Sequence, residues 1–341
     1  MAAMRNESHG DVWKVWLYAA ASIVAGAWVS PWVFNAGKAL AEVSSSKMTN
    51  GFLKWLADLC RAANFPMFYT ASVILAALVF FLPWMECIHA PRGVETKGPG
   101  PWLLRLPHGA RLATRGQRLR RYLGGPWDGC LGFMLVAGLL LSMGVVLKPA
   151  GLVTMNQAPE GLIRLMLRAL IVTLPLAFLM ETIFRGVMMG IFLRAMRPAA
   201  ALGMTAAFFA LVMCAFPPVD LQVADPDAGG TGFGLLKTTI TQFSDWKVIC
   251  MSFAPLLGLG AVLSYARWRT ASLWLPVGLH TGWLTAKMVL AKLSTPSAAG
   301  ESAIIGNVLL QGLVPLVAVI LAGLLAHRIT FPAENDGYEA T

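Results

Sequence analysis

Runs of about twenty apolar residues recur along this chain, and they restrict its fold more than any other feature. A helix crosses the roughly 30 Å hydrocarbon core of a bilayer in about 20 residues. A spanning segment must satisfy its own backbone hydrogen bonds, and an α-helix does so internally. Eight such segments can be marked, near Trp13–Asn35, Pro66–His89, Trp127–Val146, Leu162–Leu193, Ala199–Phe216, Lys247–Ala266, Leu273–Ala291 and Ala303–Ala326. The fourth exceeds one crossing, so it is expected to tilt, break or project. Of 341 residues, 57% are hydrophobic and 13% charged, where soluble domains carry about 25% charged residues. The chain therefore reads as an all-α, polytopic integral membrane protein of about eight transmembrane helices.

Charge sets the direction of the spans. Between the second and third lie Arg92, Lys97, Arg105, Arg111, Arg115, Arg118, Arg120 and Arg121 against Glu95 alone. Basic loops stay cytoplasmic, and Arg194, Arg197, Arg267, Arg269, His327 and Arg328 then fall on the same side. The segment Pro217–Asp245 carries Asp220, Asp225, Asp227 and Asp245 with Lys237 as its one basic residue, and falls outside. It is Gly-rich at Gly229-Gly230 and reads as a loop or a flexible cover. Both termini are expected in the cytoplasm, in a bacterial cytoplasmic membrane. The net charge of +10 is assigned to lipid headgroups rather than to nucleic acid. Gly109–Leu123 alternates arginines with leucines and reads as a surface helix or a solvated loop. Trp84, Trp102, Trp127, Trp246, Trp268 and Trp274 sit at expected span ends, as an aromatic belt places them.

The expected organisation is a transmembrane pair with a basic loop over 1–125, a helical core over 126–330 and a polar tail over 331–341. Ala25-Gly26-Ala27 behind a short polar lead loosely resembles a signal cleavage site, but Glu7 and Asp11 weigh against it, and an uncleaved first span is expected. The five cysteines form no C-x-x-C pair and read as small packing residues. No H-E-x-x-H, G-x-S-x-G or phosphate-loop pattern occurs, and Ser264 and Ser272 have no recognisable base partner. No cofactor and no metal site is expected.

Ionisable side chains inside hydrocarbon cost about 2.5–3.5 kcal/mol each and mark candidate sites. Three stand out: Glu181, Arg185 and His280. Glu181 and Arg185 are four apart on a helical stretch, which places them on one face. Alone, they read as a self-neutralising ion pair. His280 lies about eight residues into the seventh segment, roughly 12 Å deep at 1.5 Å per residue, among Pro276, Gly278 and Gly282, whose small size permits close helix approach. A neutral histidine bonded to a neighbouring helix is the plain reading. Glu181 and His280 fall in the same half of the bilayer on this topology, so they are able to share one cavity. Arg164 and Arg168, with Glu160, form a row expected to reach out to water.

Leu179-Met180-Glu181-Thr182-Ile183-Phe184-Arg185-Gly186 resembles the E-E-x-x-x-R motif of the CAAX-prenyl-protease and bacteriocin-processing family. Ser272–Trp283, with Pro276, Gly278 and His280, is similar to the segment carrying that family's H-x-x-x-N/D motif, and Phe209–Met213 stands where it has F-x-x-x-H. The resemblance covers about Leu162 to Ala291. It implies a glutamate-dependent intramembrane peptidase in which the first glutamate activates water, while two histidines and an Asn/Asp position that water and the oxyanion. Carried over residue by residue, Glu181, Arg185 and His280 are kept. Met180 replaces the first glutamate, Met213 the middle histidine and Leu284 the Asn/Asp. A thioether accepts no proton at neutral pH, and Glu181 points about 100° away from Met180 on a helix. Met213 and Leu284 remove two polar groups that would hold an oxyanion.

Two functions compete. One is a family-like protein of weakened or lost activity that binds a membrane-associated peptide, protein or lipid. The other is an active membrane peptidase using Glu181 and His280 on a membrane-associated or lipid-modified peptide. A transporter is a third class, hinted at only by the long fourth segment.

Overall fold

In the computed structural model of the chain, the described residues are 2–47, 50–88, 115–149, 151, 153–156, 161–218, 221–270, 272–296 and 312–329. Their elements run α1 (Ala2–Lys47), α2 (Gly51–Ala62), α3 (Phe65–Cys87), α4 (Arg115–Leu147), β1 (Val153–Met155) and α5 (Leu162–Glu181). A π-helical stretch, Thr182–Met188, joins α5 to α6 (Met189–Ala195). Then follow α7 (Pro198–Cys214), α8 (Thr231–Thr241), α9 (Trp246–Val248), a second π-helical turn (Ile249–Phe253), α10 (Ala254–Thr270), α11 (Trp274–Leu293), β2 (Ser294–Pro296) and α12 (Leu313–Ile329).

Each of the eight apolar segments of the sequence contains a helix among its described residues, with Ile88, Ala215, Phe216, Leu273 and Gly312 as non-helical residues within the marked bounds. Five helical stretches are long and apolar enough to cross a membrane: Gly10–Val43, Phe65–Cys87, Gly125–Leu147, Leu162–Ala195 and Trp246–Thr270. Pro198–Cys214 and Val314–Ile329 are shorter apolar helices, and α11 interrupts its apolar surface with His280 and Lys287. The protein is thus an all-α integral membrane protein. Arg92, Lys97, Arg105, Arg111, Trp102, Glu160, Asp220 and the tail over 331–341 lie outside the described residues.

The chain divides into two compact units. The first holds Met1–Gly93 and Leu211–Trp246, the second Val94–Ala210 and Lys247–Thr341.

In the first unit α1 packs along α3, and Ala27, Phe34, Phe65, Phe68, Tyr69 and Val73 form its core. Asn64 starts α3 because its side chain accepts the Met67 backbone N–H at 3.3 Å, satisfying one of the free donors of the first turn. Trp84 does not face outward as a belt residue. It is buried, donates Nε1–H to Lys14 O at 3.0 Å, and stacks on Tyr18 with ring centroids 4.5 Å apart. Trp127, Trp246 and Trp274 are exposed, as expected. The Gly-rich segment 217–245 is more than a loop or loose cover. It contains α8, whose Gly232, Leu235 and Thr239 are buried, and Leu235 belongs to the α1–α3 core. Its i, i+3, i+7 spacing puts all three on one face.

In the second unit α11 packs most extensively against α4. A Cβ on Gly278 would collide with the backbone of Gly129, and one on Gly282 would stand 2.7 Å from Phe133 O. The small residues beside His280 therefore do permit close helix approach, as membrane helix pairs often require. On another side α11 meets α5, where Leu165, Ala169, Val289 and Leu293 cluster and Thr173 hydrogen-bonds Thr285 at 2.8 Å. β1 and β2 pair antiparallel, Thr154 opposite Thr295. At the far end α10 and α12 are tied by Arg269 Nη2, which donates to His327 O at 3.0 Å.

Candidate functional site

The long fourth segment neither runs straight as one α-helix nor breaks. Its α-helical ladder gives way at Thr182–Met188 to the wider π pattern, then resumes. Such turns often mark functional positions, because one extra residue per turn re-aims the side chains around it. Here the wide turn starts directly after Glu181 and contains Arg185. It turns Phe184, Arg185, Gly186, Val187 and Met188 all inward as buried residues.

Glu181 and Arg185 are 0% exposed and His280 is 2% exposed. Arg185 Nη1 donates to Glu181 Oε1 at 3.0 Å. His280 Nδ1 lies 2.6 Å from the same Oε1. Arg185 remains charged in proteins, and its partner carboxylate balances it as an anion. An anionic carboxylate has no proton to give, so the imidazole donates Nδ1–H to it. The second guanidinium end, Nη2, donates to the carbonyl of Gly260 on α10 at 3.2 Å. Three helical stretches thus converge on one hydrogen-bonded cluster. A buried charge is tolerable only in such company.

Phe209 of α7 completes the enclosure. Its ring centroid is 4.3 Å from Arg185 Cζ, a cation–π contact, and it meets the His280 ring edge-to-face at 5.7 Å. Two buried polar atoms of the cluster, Glu181 Oε2 and Arg185 Nε, find no partner among the described residues. Each retains capacity for one more hydrogen bond.

The three sequence-selected residues are therefore brought together. Met180 and Leu284 are only partly buried and supply no polar atom to the cluster, and Met213 belongs to the first unit. Arg164 and Arg168 are exposed near the start of α5. Sequence reasoning missed Phe209 and the Gly260 carbonyl. Phe209 was visible as the first residue of the Phe209–Met213 string, but a phenylalanine in an apolar span carries no signal of its own. A backbone carbonyl carries none at all. Among the described residues no three His, Cys, Asp or Glu side chains converge as a metal would need. The third neighbour of Glu181 and His280 is a guanidinium, which repels a cation.

Residues 162–286 match the family described as Type II CAAX prenyl endopeptidase Rce1-like. The match begins at α5, ends within α11 and contains Glu181, Arg185, Phe209, Gly260 and His280. Neither a curated protein nor a solved structure matches the chain. This membrane protein carries, over residues 162–286, an Rce1-like domain of the CAAX-prenyl-protease and bacteriocin-processing family, and is in that sense a relative of the intramembrane peptidases.

Proposed function

We propose that this chain binds a membrane-associated peptide or protein through its peptidase-like domain and has weakened or lost the hydrolytic step. The observation that carries this reading is the commitment of Glu181 Oε1 to both Arg185 and His280 inside a fully buried cluster. A general base must meet the proton it removes within hydrogen-bond reach. Here Oε1 of the acid that remains is taken up in neutralising an arginine and orienting an imidazole, and Oε2 alone is left over. Met180, Met213 and Leu284 occupy the places where the resemblance puts a base and two water- or oxyanion-holding groups. Membrane lipid is the medium and a partner; nucleic acid and cofactors have no part in the reading.

A second reading is an active peptidase, and the geometry at His280 favours it over a transporter. With Nδ1–H donated to Glu181, Nε2 is free to take a proton from a water as that water attacks a peptide carbonyl, and to return it to the leaving amine. Glu181 then steadies the imidazolium, as carboxylates do in hydrolase triads.

The test is cleavage of a membrane-anchored, lipid-modified reporter peptide by the full chain in proteoliposomes, beside a binding measurement on the same peptide. The first reading expects binding without turnover by the wild type, and turnover in the triple variant M180E/M213H/L284N. Turnover by the wild type that disappears in both E181Q and H280A replaces it with the second reading.

A further inference from the structure

Beyond the Glu181 cluster, the buried polar side chains of the second unit are satisfied with two exceptions among the described residues, both on α10. Thr173 bonds Thr285, and Thr205, Thr281 and Ser294 each donate to the carbonyl four residues earlier. Ser264 is 0% exposed and does not do this; its Oγ has no partner, while the carbonyl four residues earlier, Gly260 O, accepts from Arg185 instead. Arg267, one turn further along, is 4% exposed; among the described residues its Nε bonds nothing and no acid pairs with it. The other buried arginine, Arg185, has Glu181. A guanidinium withdrawn from water without an anion is strongly unfavourable. The carbonyl end of α10 offers some compensation, but no negative group.

Ser264 and Arg267 are three residues apart and share the buried face of α10 with Gly260 and Leu263. Near the same end of α10 stand Arg269 and, from α12, His327 and Arg328, with Arg269 donating to His327 O. Clusters of basic side chains at the ends of membrane helices meet headgroup phosphates. The planar guanidinium fork suits a phosphate better than any other common anion at that depth.

We propose that Arg267 and Ser264 form the inner wall of a binding site for a phosphate oxyanion, supplied by the headgroup of an anionic lipid lying against the ends of α10 and α12. Arg267 donates through Nε and the neighbouring Nη, and Ser264 donates its hydroxyl hydrogen. The bound anion supplies the missing countercharge.

The experiment uses the full chain, purified and delipidated in detergent, with lipid binding followed by native mass spectrometry. Phosphatidylglycerol is the first probe and inorganic phosphate the second. The wild type is expected to retain phosphatidylglycerol, and R267M to bind it at least about tenfold more weakly, the effect of losing a charged hydrogen-bond partner. S264A should lose a few-fold. R164M removes an equal charge from an exposed position near the start of α5 and should change binding less than about twofold. If R267M does not fold, R267K keeps the charge without the fork and should still bind more weakly than the wild type. Equal weakening in R267M and R164M, or a wild type that binds no phosphatidylglycerol, overturns the proposal. Binding of inorganic phosphate with no lipid retained overturns the lipid source.

Discussion

Glu181 and His280 stand 99 residues apart in the chain and 2.6 Å apart in space, carboxylate Oε1 to imidazole Nδ1. Because Oε1 also accepts from Arg185, the carboxylate is ionised and the imidazole proton belongs on Nδ1. In the chain labelled with nitrogen-15 histidine and held in nanodiscs, His280 should carry a proton on Nδ1, hydrogen-bonded to the carboxylate. E181Q should shift or broaden that signal. An Nε2–H tautomer in the wild type would refute the assignment.

The ion pair predicts an asymmetry in stability. E181Q leaves the Arg185 guanidinium buried without an anion, and should destabilise the second unit by about 3–5 kcal/mol. Removing both charges, in E181L/R185M, should recover most of that loss, since apolar replacement of a whole buried pair is often near neutral. Denaturant unfolding of the full chain in detergent checks both. Equal destabilisation of the single and double variants would show that burial of the arginine is not what Glu181 supports.

Much of this was legible beforehand, and what was not has a physical cause. Apolar runs locate helices because the bilayer punishes any other use of them, so each marked segment holds a helix among its described residues, five of the helical stretches being long and apolar enough to cross a membrane. Glu181, Arg185 and His280 were legible because charge inside hydrocarbon needs a reason, and the structure gives each its partner. Helix α8 escaped notice because Gly229, Gly230, Gly232 and Gly234 argue locally for a turn. Only its packing on α1 and α3, through Leu235, makes it helical, a tertiary contact overriding propensity. Trp84 misleads for a similar reason: its position at a span end is visible in the sequence, and Tyr18 as its stacking partner is not. The Gly260 carbonyl was invisible because every residue has one.

Thr173 and Thr285 bridge α5 and α11 with a buried hydroxyl pair at 2.8 Å. A double-mutant cycle with T173V and T285V should return a coupling of about 0.6 kcal/mol, with about 1.7 kcal/mol as an upper bound, the range for polar contacts between membrane helices. No coupling would mean that apolar packing alone holds this helix pair.

Gly278 should tolerate nothing larger. A Cβ there would run into the Gly129 backbone, so G278A is expected to cost about 1–3 kcal/mol as overpacking forces α4 and α11 apart. Gly138, also on α4, has open space where its Cβ would stand, and G138A should be neutral within about 0.5 kcal/mol. Thermal melting of both variants, side by side, decides whether the α4–α11 contact is as close as the backbone indicates.

The wide turn at Thr182–Met188 makes chain length in that stretch matter as much as chemistry. An α-helix advances about 100° per residue. Deleting a single residue from the turn would close it to the ordinary pitch and leave Met189–Ala195 near their present phase, because the wide turn already absorbs about one residue's worth of rotation. Met189, Ile191, Phe192 and Leu193 would stay inward, while the side chains inside the turn, Arg185 among them, would be re-aimed. The turn acts as slack that takes up one extra residue without twisting the rest of the span, so the damage of a one-residue gap would fall on the buried ion pair and spare the packing beyond it.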